Sequence, residues 1–305
     1  MTAPINQTDA EFAAAPDRPQ ILTPPPQRSR RMALLIEHPT MWIGLILLML
    51  VTLMGIFAPW IATADPSALN PAFRVKPPSA DAWFGTDMLG RDIFSRTVYG
   101  ARVSLVVGAG VAICASVVGL AIGLLSGFIR WADNIVMRIM DGLMSIPAIL
   151  LAIALMTLMR GGSVFNVILA ITIAEIPRVA RLTRSVVLSV REQPYVEAGK
   201  ACGTSTLGII RRHIMPNTMA PLTVQATYIC ASAMITEAIL SFIGAGMPSS
   251  VPSWGNIMAE GRALWQVKPS IVFFPALFLS ITVLAVNLLG DGLRDAVDPR
   301  LAKQV

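Results

Sequence analysis

An unpaired charge in hydrocarbon is expensive and is kept only with a partner or a purpose, so ionisable side chains inside apolar stretches are where this chain could do chemistry. Asp141, Glu175 and Glu237 are such residues. Arg138 precedes Asp141 by three positions and Arg178 follows Glu175 by three, so the spacing predicts one ion pair along a helix face at each. Glu237 has no comparable neighbour. Two readings stay open for it: a group facing a translocation path together with Ser241, or a buried interhelical hydrogen bond. Covalent chemistry finds little support. There is no GxxxxGK[ST] loop; Gly199-Lys200 is followed by Ala201, and Pro194 stands where the first glycine would be. Neither a GxSxG nor an HExxH motif occurs, so no catalysis by this polypeptide is expected. Cys114, Cys202 and Cys230 show no CxxC spacing, and His38 and His213 are the sole histidines, so neither a metal centre nor a disulfide framework is expected.

Two further patterns concern contact. Ala115, Gly119, Gly123 and Gly127 recur every fourth residue, which places them on one helical face and lets another backbone approach closely. Packing within the chain is the favoured reading over contact with a partner subunit. The second pattern runs from Tyr195 to Asn217 and combines Glu197-Ala198-Gly199, Gly203, Arg212 and Pro216. Small residues let a short helix sit against another protein, Gly203 lets the chain change direction, and Pro216 is expected to keep helix from running straight into the next apolar run.

The elements that position these residues belong to a membrane. Hydrophobic residues make up 54% and charged residues 14% of the 305 positions, against roughly 45–50% and 25% in soluble domains. Mean hydropathy is +0.65, more apolar surface than a water-exposed globule can bury. The net charge of +6 comes without the interleaving of basic and aromatic residues that a nucleic-acid groove requires, so nucleic acid is not the expected partner and membrane lipid is. Residues 1–33 are polar, proline-rich and basic at their end, and read as a disordered cytoplasmic tail. Apolar runs near 41–64, 103–128, 136–158, 164–188, 221–243 and 271–290 give six spans. The fourth is expected to leave the bilayer early, because Glu175, Arg178, Arg181 and Arg184 fall in its second half. With both termini in the cytoplasm, two-thirds of the 24 Lys and Arg lie inside, although Arg74, Lys76, Arg91, Arg96 and Arg102 oppose the rule by lying outside.

The segment 195–217 resembles the EAA loop of ATP-binding-cassette (ABC) importer permeases, with Gly199 where a second alanine is usual. Arg212-His213-Ile214-Met215-Pro216-Asn217 is similar to the variant of the dipeptide, oligopeptide and nickel branch, with methionine for its commoner leucine. Gly85-Thr86-Asp87, Gly90-Arg91-Asp92, Ser95-Arg96 and Gly100-Ala101-Arg102-Val103-Ser104-Leu105 resemble the lead into the second span of that branch's C-type permeases. Taken alone, these residues are an outer loop with turn glycines and solvated ion pairs. Glu237-Ala238-Ile239-Leu240-Ser241-Phe242-Ile243-Gly244, Pro252-Ser253-Trp254-Gly255-Asn256 and the closing Asn287 to Arg300 also fit, so the resemblance covers about 35–301. It implies an all-α, MetI-like type I importer fold, with 34–102 as first span and outer loop and 103–305 as the core permease domain. It implies as partners a second, homologous permease, two cytoplasmic ATPase subunits and an extracytoplasmic substrate-binding protein. The chain itself would bind no cofactor; ATP and Mg would sit on the ATPases, which the coupling loop at about 195–217 would engage. An ion-gradient-driven transporter or channel is the alternative, disfavoured by the absence of an inverted repeat in the hydropathy.

Overall fold

The computed structural model describes residues 39–159 and 162–297; the tail read at 1–33 lies outside them. The described residues form helices and connecting turns, with one isolated bridge, Thr86 to Asp92, in place of any sheet. In chain order the helices are α1 (Pro39–Ile56), α2 (Ala58–Ile61), α3 (Ile93–Phe128), α4 (Arg130–Met144), α5 (Ala148–Leu158), α6 (Val164–Arg191), α7 (Pro194–Ala201), α8 (Thr206–Ile209), α9 (Met215–Phe242), α10 (Trp254–Gly261) and α11 (Ser270–Val297).

The 36-residue α3 is the central post, about 54 Å long at 1.5 Å per residue. It starts where Asp92 caps the helix by accepting the Ser95 N–H, and it packs along α6 over most of its length. The small-residue face is the reason the two can approach: a Cβ on Gly119, Gly123 or Gly127 would run into Val179, Thr183 or Val187 of α6. The glycines of the stripe pack against α6 of the same chain. Val107, Val111 and Ala115 of α3, Val167, Ala170 and Ile171 of α6, and Ile229, Ala233 and Leu240 of α9 make the main core. Apolar side chains also point outward, among them Ile46, Met49, Ile113, Val117 and Leu158, as they do when hydrocarbon is the solvent.

Four helical segments are long and apolar enough to cross a membrane: α1, α3, Thr206–Phe242 and α11. The α4–α5 pair makes a fifth if counted as one span. Six are not recovered on length and composition, because the charged second half of α6 disqualifies it. The expected third span at 136–158 is likewise not one straight helix. It breaks at Ser145-Ile146-Pro147 and turns through 93°, since a residue before proline is pushed out of the helical region.

A second correction concerns Pro216. Helix runs unbroken from Thr206 to Phe242, with a π-helical turn at Ile210–Ile214 just before the proline. The wider turn relieves the clash that the ring would make with a carbonyl one turn back, so Pro216 bends the hydrogen-bond ladder without ending the helix.

Candidate functional site

The segment 194–217 lies at the C-terminal end of α3 and is held from beneath. Val196, Ile209 and Ile214 are buried against Val187, with Leu124, Phe128 and Val190 packed alongside. Arg191 Nη1 donates to the Gly127 carbonyl at 2.9 Å and ties the ends of α6 and α3 under the loop. Proline at its first turn opens α7, and Gly203 closes it with φ of +77°. The Gly203 N–H donates to the Lys200 carbonyl at 2.9 Å and the Thr204 N–H to Gly199 at 3.0 Å, the paired bonds of a Schellman stop. The direction change expected of Gly203 is thus carried by a backbone conformation that side-chain-bearing residues resist.

What this loop turns outward is its other face. Glu197, Ala198, Arg212 and Pro216 are exposed, and so are the apolar Tyr195 and Leu207, the latter 74% accessible. A single exposed leucine is ordinary, but Leu207 and Tyr195 share with a charged glutamate and a small alanine a loop that is anchored from beneath by Val196, Ile209 and Ile214. Gly199 is half-buried near His213, with ordinary van der Waals room for a methyl group. Sequence reading had not singled out Leu207 and Tyr195; their exposure depends on which face of the loop the α3–α6 pair occupies.

Ion pairs brace the neighbouring helices. Glu175 Oε2 accepts from Arg178 at 2.9 Å, as the spacing predicted. Asp141 does not pair with Arg138; it receives Arg181 Nη2 of α6 at 2.6 Å, while Asp133 takes both Nε and Nη2 of Arg184 at 2.5 and 2.6 Å. Contacts between α4 and α6 therefore replace the expected contact along one helix, because α6 offers its arginines broadside to α4.

At the opposite end of α3 the glycine-rich segment 85–102 is no solvated loop. Asp87 Oδ2 receives Arg91 Nε at 2.7 Å and Arg96 Nη1 at 2.6 Å, and Glu260 of α10 receives Arg96 at 2.6 Å and also pairs with Arg91. Asp87, Arg91 and Arg96 are buried. Burial pushes the Asp87 carboxyl up, but the Arg91 N–H and the charges of Arg91 and Arg96 outweigh it and hold the carboxyl below the ordinary value of 3.8. Arg102 donates to the carbonyls of Gly55 and Ile56. Three of the five cations that opposed the charge-orientation rule are thus built into the protein. Trp254, fully buried, donates its indole N–H to the Thr97 carbonyl at 2.9 Å and leaves no room for a side chain at Gly100.

Glu237 and Ser241 do not face an open path in this structure. Both are buried, and the Ser241 hydroxyl donates to Glu237 Oε1 at 2.9 Å. That bond lies within α9, and Glu237 Oε2 is buried with no hydrogen-bond partner among the described residues. Among the described residues no group of three or more His, Cys, Asp and Glu side chains converges as a metal site, and all three cysteines are free.

Comparison with known proteins gives the site its context. Residues 117–303 match the binding-protein-dependent transport system inner membrane component family, and 30–78 match the N-terminal transmembrane domain of oligopeptide transport permease C. A probable peptide ABC transporter permease protein of Sinorhizobium fredii is 54% identical over 87% of this chain and 90% of its own. The oligopeptide transport system permease protein of Bacillus subtilis is 42% identical over 86% of each chain. Among solved structures, a chain of the MetNI methionine ABC transporter in inward-facing conformations aligns with a TM-score of 0.58 at 21% identity, over 68% of this chain and 98% of that one, a likeness of fold.

Proposed function

Because the chain belongs to the binding-protein-dependent transport system inner membrane component family, and is a permease subunit of an ABC importer in the bacterial inner membrane, we propose that it forms half of a pathway for peptides or related small solutes. ABC importer permeases work with ATPase and substrate-binding partners. In this reading the other half is a second, homologous permease, two ATPase subunits dock on the 194–217 loop, and a substrate-binding protein delivers cargo to the opposite face. The chain performs no hydrolysis itself; ATP and Mg belong to the ATPases. The names of the relatives support peptide cargo.

The observation that carries the proposal is the two-faced loop. Its apolar underside is locked to α3 and α6, so displacement of its outer face is passed to the helices instead of being absorbed. ATP binding that draws the ATPases together would then rock the helix bundles, with the bias supplied by the different affinity of the two states for ATP.

Six crossings with both termini in the cytoplasm complete the reading. α6 has 28 residues, about 42 Å, enough for the roughly 30 Å hydrocarbon layer. Its charges are compatible with crossing because Arg178, Arg181 and Arg184 are each paired to a carboxylate. Affinity purification of the tagged full chain from detergent-solubilised membranes tests the assembly: a second permease and ATPase subunits with ATP turnover are expected, whereas a lone chain that transports in proteoliposomes without ATP would overturn it.

A further inference from the structure

Between α2 and α3 the chain folds around a cavity of about 310 Å³ that the coupling reading does not use. Its frame is pinned by the backbone. The Asn70 N–H donates to Leu89 O at 3.2 Å, the Val75 N–H to Asp87 O at 3.1 Å and the Thr86 N–H to Lys76 O at 3.2 Å. The Thr86 hydroxyl closes the ring by donating to Phe73 O and accepting the Lys76 N–H at 2.9 Å. Such a cavity exists before any ligand arrives.

Its lining carries both signs of charge. Asp65 and Asp81 stand exposed at the cavity, and the Ser67 hydroxyl and N–H hold the Asp65 carboxyl below the ordinary carboxylate value. Asp92 is only 6% exposed; its Oδ2 accepts from Thr63 and the Ser95 N–H at 2.8 Å each, while its Oδ1 is buried with no hydrogen-bond partner among the described residues. Facing this acidic set is one cation, Lys76, with Nζ 3.8 Å from the Phe73 ring centroid. Most of the remaining surface is apolar, including Ala68. Among the described residues these carboxylates do not converge as a metal-binding group.

We infer that this cavity binds a small zwitterion with an apolar side chain, an amino acid or dipeptide whose ammonium meets the exposed carboxylate of Asp81 and whose carboxylate meets Lys76. The volume, about 310 Å³, lies at the lower end of the range of ligand pockets, about 300–1,000 Å³, and suits a small ligand. The site deepens the peptide-importer reading by giving the permease its own receiving point on the face opposite the coupling loop, and it rests on that reading for its place in transport. Binding itself requires neither ATP nor partners.

Saturation-transfer NMR on the full chain in lipid nanodiscs, with the dipeptide Leu-Leu as probe, is the test. A saturable signal on the leucine methyls is expected, weakened about fivefold by N-acetylation of the dipeptide, the size of one exposed ion pair. Ala68→Trp should fill the cavity and abolish the signal. Asp81→Asn, an exposed and conservative change, should weaken it by a similar factor to acetylation even if the tryptophan variant fails to fold. No saturable signal, or one indifferent to acetylation and Asp81→Asn, overturns the inference. So does protection of Lys76 from acylation by an added substrate-binding protein and never by dipeptide, which would make the cavity a protein-docking surface. Because the assay uses no ATPase, its failure leaves the importer reading standing, and failure to recover an ATPase leaves the binding result standing.

Discussion

At one end of α3, Asp87, Arg91, Arg96 and Glu260 neutralise one another away from solvent; at the other, Glu197, Ala198, Leu207 and Arg212 stand open on a loop packed only from beneath. The first arrangement sets two cations against two carboxylates, with Arg96 Nε the one atom of the four charged groups that is buried without a partner among the described residues. The second leaves an apolar and polar face uncovered on a firm base. A region whose groups are mutually satisfied serves the fold, whereas a well-anchored region with an uncovered outer face is built to meet something else.

The largest effect is expected where the charges are buried. Arg96→Ala leaves Asp87 and Glu260 to share one remaining cation, Arg91, and should cost about 3–5 kcal/mol, read as a lowered unfolding temperature in detergent. A loss under about 1 kcal/mol would mean that the cluster is solvated and that the contrast between the two ends is false. The same cluster should make stability fall in acid. The Asp87 carboxyl is lowered from 3.8 in the folded protein, so its contribution is complete above 3.8 and is lost as pH falls through the folded value. Unfolding temperature followed from pH 6 down to about pH 3 checks this, and an unchanged temperature below the unfolded-state value contradicts it.

Next in size is the coupling end. Gly203→Val forces a β-branched residue to φ of +77° and should cost about 1–2 kcal/mol locally while inserting normally. Uptake should be lost with little change in global unfolding, because a Cβ at Gly203 meets nothing within 4 Å and leaves the packed underside of the loop in place. Wild-type uptake by this variant would show that the stop at Gly203 is dispensable. The smallest effect is Gly199→Ala, which has space for its methyl group and should stabilise α7 by about 0.5–1 kcal/mol with transport intact. A marked loss of uptake would place a partner closer to Gly199 than the open surface suggests.

Much of the structure of the 194–217 loop was legible because its determinants are local. Gly203 announces a stop within nine residues of Pro194, and the four-residue period of Ala115 to Gly127 fixes a packing face whatever it meets. The outer cluster was misread because Glu260 lies more than 160 residues from Arg91 and Arg96 in sequence, and nothing nearby marks it as their partner. Asp141 was paired wrongly for a similar reason: the rule for one helix was sound, but Arg181 of another helix competes better. Pro216 misled by its residue type, since a π turn can absorb a proline that an α-helix cannot. The cavity at Asp92 had no sequence signal at all, being assembled from turns.

The most direct test of the central claim is a double change on the uncovered face, Glu197→Lys with Leu207→Asp, introduced into the tagged chain and purified as the assembled complex. Both side chains are exposed, so unfolding should be unaffected. The account predicts a stable, correctly inserted permease that recovers little ATPase and supports little ATP turnover; full recovery of an active ATPase by this variant would contradict it.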